Sequence, residues 1–255
     1  MNGIRMIAVD LDGTLLRGDK TVSQYTLETI RRAREKGLRF VIATARPVRA
    51  VRQMLPGLPM DAGIYHNGAV IWNAHARIGG FGIADPAQVA RVLLRSRPQS
   101  RISVESDEVL YANYPADETW PGIEYVCTQD FSQIEGAVAD KIIVEADTQE
   151  KVSEIGALLP EDCYAQLCEN RLALCMHKEA SKPRALALVA QMYGVAMEEI
   201  ACFGDDHNDI AMLRACGCGV AVANAINEVK QAADITLAYT NEEDGVARWI
   251  EENLL

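Results

Sequence analysis

One stretch restricts this chain more than any other: Met6-Ile7-Ala8-Val9-Asp10-Leu11-Asp12-Gly13-Thr14-Leu15-Leu16. Met6 to Val9 is a short apolar run, the pattern of a strand buried on both faces of a parallel sheet. The run stops at two aspartates one residue apart. Residues i and i+2 of a strand share a face, so Asp10 and Asp12 are expected to project together from the strand's carboxyl end. Gly13 and Thr14 then turn the chain. In open α/β sheets, ligand crevices lie at the carboxyl ends of the strands. Two carboxylates about 4 Å apart repel by roughly 4 kcal/mol at an effective dielectric near 20. A hard divalent cation with oxygen ligands is the natural counterweight. A solvated Asp-rich turn would look the same locally, so the remaining sequence has to decide.

The chain continues as a strand–helix alternation. Val22 to Lys36 reads as an amphipathic helix with Val22, Tyr25, Leu27, Ile30 and Ala33 on its apolar face. Ser23 is its expected N-cap and Gly37 its stop. Leu38 to Ala43 is a second strand, ending in Thr44-Ala45-Arg46-Pro47, and a helix follows over 48–54. Thr44 therefore stands at a strand end like Asp10 and Asp12, where its hydroxyl and nearby N–H groups suit a phosphate oxygen; taken alone it reads rather as an N-cap. A third strand, 62–65, returns through His66-Asn67-Gly68-Ala69 as a hairpin.

The pattern changes at Gly79-Gly80-Phe81-Gly82, a plausible hinge. From 82 to 178 helices mix with hairpins. One hairpin is expected around Ser106-Asp107 and another around Glu169-Asn170. This predicts an α+β domain of residues 82–178 inserted into an α/β core of residues 1–81 and 179–255. The parallel pattern resumes with a helix over 181–193 and a strand over 200–203.

That strand runs into Gly204-Asp205-Asp206-His207-Asn208-Asp209 and repeats the first design, acids at the carboxyl end of an apolar strand. Asp205 and Asp209, four apart, share a face of any helix that starts in this turn. In a doubly wound sheet the two acidic ends converge, presenting Asp10, Asp12, Asp205 and Asp209 to one point. So dense a negative site calls for Mg²⁺, which takes carboxylates and keeps room for a substrate phosphate. A carboxylate beyond the metal's need is suited to nucleophilic attack on phosphorus, and its neighbour to acid/base work. Lys182, in the first turn of its helix, opposes the helix dipole and is expected to answer a negative partner instead.

The formal net charge of −11 over 255 residues argues against nucleic-acid or anionic-membrane surfaces, but not against a small phosphate ligand. No apolar run approaches a membrane span, and Met1 to Arg5 carries no signal-peptide hydrophobic region. Seven cysteines without a C-x-x-C pair are read as free thiols in a reducing cytoplasm.

Five ordered motifs, D-L-D-G-T-L-L, I-A-T-A-R, N-G-A, K-P-R-A-L and G-D-D-H-N-D-I-A-M-L, resemble the haloacid dehalogenase superfamily, and more narrowly its Cof-type (class IIB) phosphatases. The tail is similar to that subfamily as well, through G-V-A-V-x-N-A at Gly219 to Ala225 and N-E-E-D-G-V-A at Asn241 to Ala247. The resemblance implies a Rossmann-like, doubly wound core with an inserted cap that closes over the site and selects the substrate. It implies Asp10 as nucleophile and Mg²⁺ ligand, and Asp12 as general acid/base that lends its backbone carbonyl to the metal. Thr44 and Lys182 would hold the phosphoryl group, with Asn208 on phosphate and Arg46 near the substrate. Asp205 would be the second metal carboxylate, and Asp209 would bind or support the metal shell and Lys182. Two positions depart from the usual pattern, Ala45 for Gly and Pro183 for Gly.

The resulting expectation is a Mg²⁺-dependent phosphatase of a small phosphorylated metabolite, a sugar phosphate or a cofactor such as pyridoxal phosphate or FMN, working through an aspartyl-phosphate. A phosphomutase or phosphotransferase using the same intermediate, and a non-catalytic phosphate-binding regulator, stay open at this level.

Overall fold

A computed structural model describes residues 3–73, 75–168 and 170–255. Glu169, half of one expected hairpin turn, lies outside the described residues, as do Met1 and Asn2. The backbone divides into two compact units. One holds everything up to Gly80 together with Ser181–Leu255; the other is Phe81–Ala180.

The first unit begins with β1 (Met6–Val9), α1 (Gln24–Glu35), β2 (Arg39–Ala43), α2 (Val48–Met54), β3 (Ala62–Tyr65), β4 (Val70–Asn73) and β5 (Arg77–Gly79). The second contributes β6 (Ile83–Ala84), α3 (Pro86–Ser96), β7 (Ile102–Ser106), β8 (Val109–Ala112), β9 (Val126–Cys127), β10 (Val138–Ala139), β11 (Lys141–Glu145), α4 (Gln149–Gly156), β12 (Cys163–Cys168) and β13 (Leu172–His177). The first unit resumes with α5 (Lys182–Met192), β14 (Ile200–Gly204), α6 (Ile210–Ala215), β15 (Cys218–Ala221), α7 (Asn227–Ala232), β16 (Ile235–Thr236) and α8 (Gly245–Leu254).

The first unit is a doubly wound α/β fold. Its eight-stranded sheet runs β16-β15-β14-β1-β2-β3-β4-β5. All pairs from β16 to β3 are parallel, and β4 and β5 are added antiparallel at one edge. From β1 the chain winds one way through β2 and β3, and after the insertion it winds the other way from β14. The strand order therefore reverses between β1 and β14, the switch point at which such sheets open a crevice. Every residue of β1 is fully buried, as are Ile200, Ala201, Cys202 and Phe203, which explains why these runs are apolar without alternation. Phe203 meets Trp249 of α8 edge to face, with ring centroids 5.2 Å apart.

Helix α1 starts where expected: the Ser23 side chain accepts from the Thr26 N–H, and Gly37 follows the helix with φ +89°. Its buried face differs from the expected one. Thr26, Thr29, Ile30 and Ala33 are buried, while Tyr25 is exposed. The spacing is helical, but two threonines are buried in place of the larger side chains expected there.

The second unit is α+β. Its six-stranded sheet runs β12-β13-β11-β7-β8-β9, antiparallel except for the last pair. Leu93 and Ala90 of α3 and Val152 and Ile155 of α4 join Ile102, Val104, Ile142 and Val144 in its core. The hairpin between β7 and β8 turns at Asp107-Glu108, both with positive φ, one residue later than the sequence suggests.

One expectation fails. Cys202 and Cys216 form a disulfide with a Cα–Cα distance of 6.3 Å, so the seven cysteines are not all free. Strand β14 and the end of α6 return side by side, and the sequence carries no sign of that approach. No helix among the described residues is long and apolar enough to cross a membrane.

Candidate active site

The site gathers at the carboxyl ends of β1, β2 and β14. Asp10 continues the β1–β14 ladder by donating its N–H to the Phe203 carbonyl at 3.1 Å, and its side chain is 8% exposed. Lys182 is 1% exposed, and its Nζ bridges Asp10 Oδ1 at 2.6 Å and Asp209 Oδ1 at 2.7 Å. A buried ammonium is costly unless it is paired and hydrogen-bonded; here two carboxylates serve it. Burial works against its charge, but Asp10 and Asp209 outweigh burial and hold the lysine above its usual pKa range.

Asp209 is fully buried and spent in place. Its Oδ2 accepts from the Asp205 N–H at 3.0 Å and the Asp206 N–H at 3.2 Å, while Oδ1 takes Lys182. It anchors both the lysine and the turn that carries Asp205. On the other side of the crevice, Thr14 Oγ1 donates to Asp205 Oδ1 at 2.6 Å. Gly13 has φ +78°, and a Cβ there would stand 2.3 Å from Asp205 Oδ2. Only glycine permits both that backbone conformation and that approach.

Burial raises the Asp10 carboxyl; Lys182 opposes the rise, and Asp209 and Asp205 add to it. Burial likewise pushes Asp205 up to about 6, against the Thr14 hydrogen bond and with Asp209 and Asp206 reinforcing. Asp10, Asp205 and Lys182 all shift toward holding a proton, so the pocket is short of positive charge. Oxygen atoms of Asp10, Asp205 and Asp209 lie within 4.8 Å of one another. An octahedral Mg²⁺ with bonds of about 2.1 Å spans about 4.2 Å between opposite ligands. The all-oxygen donor set, its spacing and its charge deficit fit such an ion.

The Asp12 carboxylate is not in that cluster. It accepts a fork from Arg46, with Nε at 2.6 Å and Nη2 at 2.7 Å, and Lys20 Nζ at 2.9 Å. Burial opposes ionisation, but the hydrogen bonds to Arg46 and Lys20 win and hold the Asp12 carboxyl below its usual range. Arg46, expected beside the substrate, is thus engaged with Asp12. Thr44 is buried at the end of β2, where its Oγ1 accepts from the Arg46 N–H at 3.2 Å. Ala45 is not among the residues with positive φ, so alanine is tolerated where the family pattern has glycine.

The turn after β3 completes the floor. Asn67 donates its N–H to the Thr44 carbonyl at 2.9 Å, and His66 donates to the Arg46 carbonyl at 3.1 Å. Gly68, with φ +112°, lies so near the Ser181 backbone that a Cβ would be 2.5 Å from its carbonyl oxygen. That contact fixes where α5 starts and hence where Lys182 enters. Asn208 is exposed and reaches Asn67 Oδ1 at 3.3 Å. His207 is exposed as well.

Asp10, Thr44, Lys182, Asp205 and Asp209, singled out from sequence, converge here; the Asp12 and Arg46 side chains pair with each other beside them. Thr14 was missed, although a hydroxyl two residues after the second acid of a metal-like turn was a signal available to be read.

A family profile described as haloacid dehalogenase-like hydrolase matches residues 7–250. A 5-amino-6-(5-phospho-D-ribitylamino)uracil phosphatase of Bacillus subtilis is 32% identical, over 97% of this chain and 96% of the relative. A pyridoxal phosphate phosphatase of Escherichia coli is 28% identical, over 98% and 99%. Among solved structures, a phosphatase of the haloalkanoate (HAD) superfamily from Bacteroides thetaiotaomicron superposes with a TM-score of 0.81 at 26% identity, covering 98% of this chain and 94% of that one.

Proposed function

The chain belongs to the haloacid dehalogenase-like hydrolases, and from that premise we propose that it is a Mg²⁺-dependent phosphatase of a small phosphorylated metabolite. The observation that carries this reading is the buried Lys182 bridging Asp10 and Asp209 at the β1–β14 switch point.

Asp10 is the nucleophile. Its carboxylate oxygen attacks phosphorus, the ester oxygen leaves, and an aspartyl-phosphate remains on Asp10. Asp12 protonates the leaving oxygen and then takes a proton from the water that hydrolyses the acyl phosphate. Arg46 and Lys20 hold Asp12 in the ionised form that takes the proton from water; to protonate the leaving oxygen, Asp12 first releases them and takes up a proton. Lys182, Thr44 and Asn208 bind the phosphoryl oxygens, supplying donors where negative charge accumulates. Asp10, Asp205 and the Asp12 carbonyl would hold Mg²⁺, which screens the phosphate from the carboxylates and stabilises charge in transfer. Asp209 supports Lys182 and Asp205 and completes the acidic shell. Residues 81–180 form the cap and carry substrate discrimination. The names of the relatives, a phospho-D-ribitylaminouracil phosphatase and a pyridoxal phosphate phosphatase, support a small phosphorylated metabolite.

The test is phosphate release with Mg²⁺ across sugar phosphates, pyridoxal phosphate, flavin mononucleotide and nucleotides. Wild type is expected to release phosphate from a subset, to stop with EDTA and to recover with Mg²⁺. Asp10→Asn is expected to lose at least 1,000-fold in turnover while keeping its circular dichroism, a loss of about 4 kcal/mol in transition-state stabilisation. Undiminished activity in a folded Asp10→Asn protein would remove the nucleophile assignment.

A further inference from the structure

The turn that carries Asp12 and Thr14 is tied down from the far end of the chain. Asn224 Nδ2 donates to the Gly13 carbonyl at 2.7 Å, and Asn224 Oδ1 accepts the Asn241 N–H at 2.9 Å. Asn241 Nδ2 in turn donates to the Leu16 carbonyl at 2.7 Å. Beside them, the Gly18 N–H meets Glu242 Oε1 at 2.5 Å, and Arg17 pairs with Asp244 at 2.8 Å. Two residues beyond Asn224, the Ile226 N–H donates to the Asp205 carbonyl at 3.0 Å. One short segment, 224–226, therefore grips the first acidic turn through a side chain and the second through its backbone.

Asn224 itself is exposed. An exposed amide need not make two well-formed hydrogen bonds to backbone, because water would serve it. The Gly13 peptide has much to lose by moving. Gly13 already lies against the Asp205 carboxylate, and Thr14 aims its hydroxyl at the same group. A small rotation of that peptide would move the Thr14 hydroxyl off Asp205 and shift the Asp12 carbonyl, which the phosphatase reading makes a metal ligand.

Building on the phosphatase reading, we propose that Asn224 is a positioning residue, which fixes the Gly13–Thr14 peptide so that Asp12 and Asp205 face the same cation and phosphoryl group. It touches neither substrate nor metal and acts through Gly13. Asn241 and Glu242 are its backing, holding the next residues of the same turn.

Asn224→Asp separates this role from general stability. It keeps the size of the side chain and the acceptor for the Asn241 N–H, and it replaces the donor to the Gly13 carbonyl by a carboxylate oxygen that repels that carbonyl. Glu243→Ala is the control, since the Glu243 carboxylate accepts from the Thr240 N–H and hydroxyl within the same C-terminal loop. Three quantities are measured on each full-length protein: kcat and KM for phosphate release, Mg²⁺ affinity by calorimetry without substrate, and Tm. Asn224→Asp is expected to lower kcat at least tenfold with KM within twofold, and to weaken Mg²⁺ binding at least fivefold. Glu243→Ala is expected to keep kcat and Mg²⁺ affinity at wild-type values even where its Tm falls. Wild-type kcat and Mg²⁺ affinity in Asn224→Asp would overturn the proposal. So would an equal loss of both in Glu243→Ala, which would make the loop merely structural. If wild type releases no phosphate at all, the phosphatase reading fails, and the Mg²⁺ calorimetry still decides the role of Asn224.

Discussion

Asp61 shows how much one carboxylate can organise. Its side chain is 7% exposed and accepts from Arg34 Nε at 3.0 Å and Nη2 at 3.1 Å, from Arg39 at 2.9 Å and from the Phe40 N–H at 2.9 Å. Burial opposes its charge, but the hydrogen bonds from Arg34, Phe40 and Arg39 prevail and hold its pKa below the usual value of 3.8. The unfolded state thus binds a proton more readily than the folded one. Asp61 adds stability above pH 4 that is lost as pH falls through its lower folded pKa. Asp61→Ala is expected to cost about 2–3 kcal/mol at neutral pH, with the difference from wild type shrinking below pH 4 in urea unfolding; a pH-independent difference would contradict the linkage. At this scale the sequence was most legible where chemistry is local. Asp10 and Asp205 follow apolar strands directly, and Lys182 stands where a helix disfavours it. The fork from Arg46 to Asp12 was not legible, because it depends on how two loops 34 residues apart meet. The role of Asn224 was not legible, since an asparagine in a turn has many ordinary reasons to be there.

The disulfide belongs to the scale of elements. It closes the run from β14 through the Asp205–Asp209 turn to the end of α6, a separation of 14 residues. Closing a loop of that length restricts the unfolded chain by about 3 kcal/mol, roughly 5–10 °C in Tm for a protein of this size. Cys216→Ser is expected to melt lower than wild type by that amount without reductant, and the gap is expected to close once dithiothreitol reduces wild type. Equal melting without reductant, or seven titratable thiols in denatured wild type, would rule the bridge out. Elements with a strong repeating pattern were readable, among them α1, α3, α5 and the strands of the parallel sheet. Pairs of two-residue strands such as β6 and β10 were not, because two residues hold no period. The β7–β8 turn was misplaced by one residue because Glu108 adopts a positive φ that its identity does not advertise.

For the molecule as a whole, the carboxylates of the candidate metal site all come from one unit, although Asp10 stands about 200 residues before Asp209. Magnesium should then stabilise that unit selectively. At a hundredfold excess over its Kd the gain is about 2.7 kcal/mol, expected as slower amide exchange in β1 and β14 with no change in β7 and β11. Equal protection of both units, or of neither, would contradict a site built from Asp10 and Asp205.

The pairing of β1 with β14 joins Met6 to Ile200. During synthesis at roughly 5–20 residues per second, β1 leaves the ribosome about 10–40 s before its partner exists. Through that interval the innermost strand of the finished sheet is an outer edge, apolar on both faces and bare along one row of backbone amides. The nascent protein is most in need of a chaperone's shelter at the strand that, once complete, will be its most deeply enclosed.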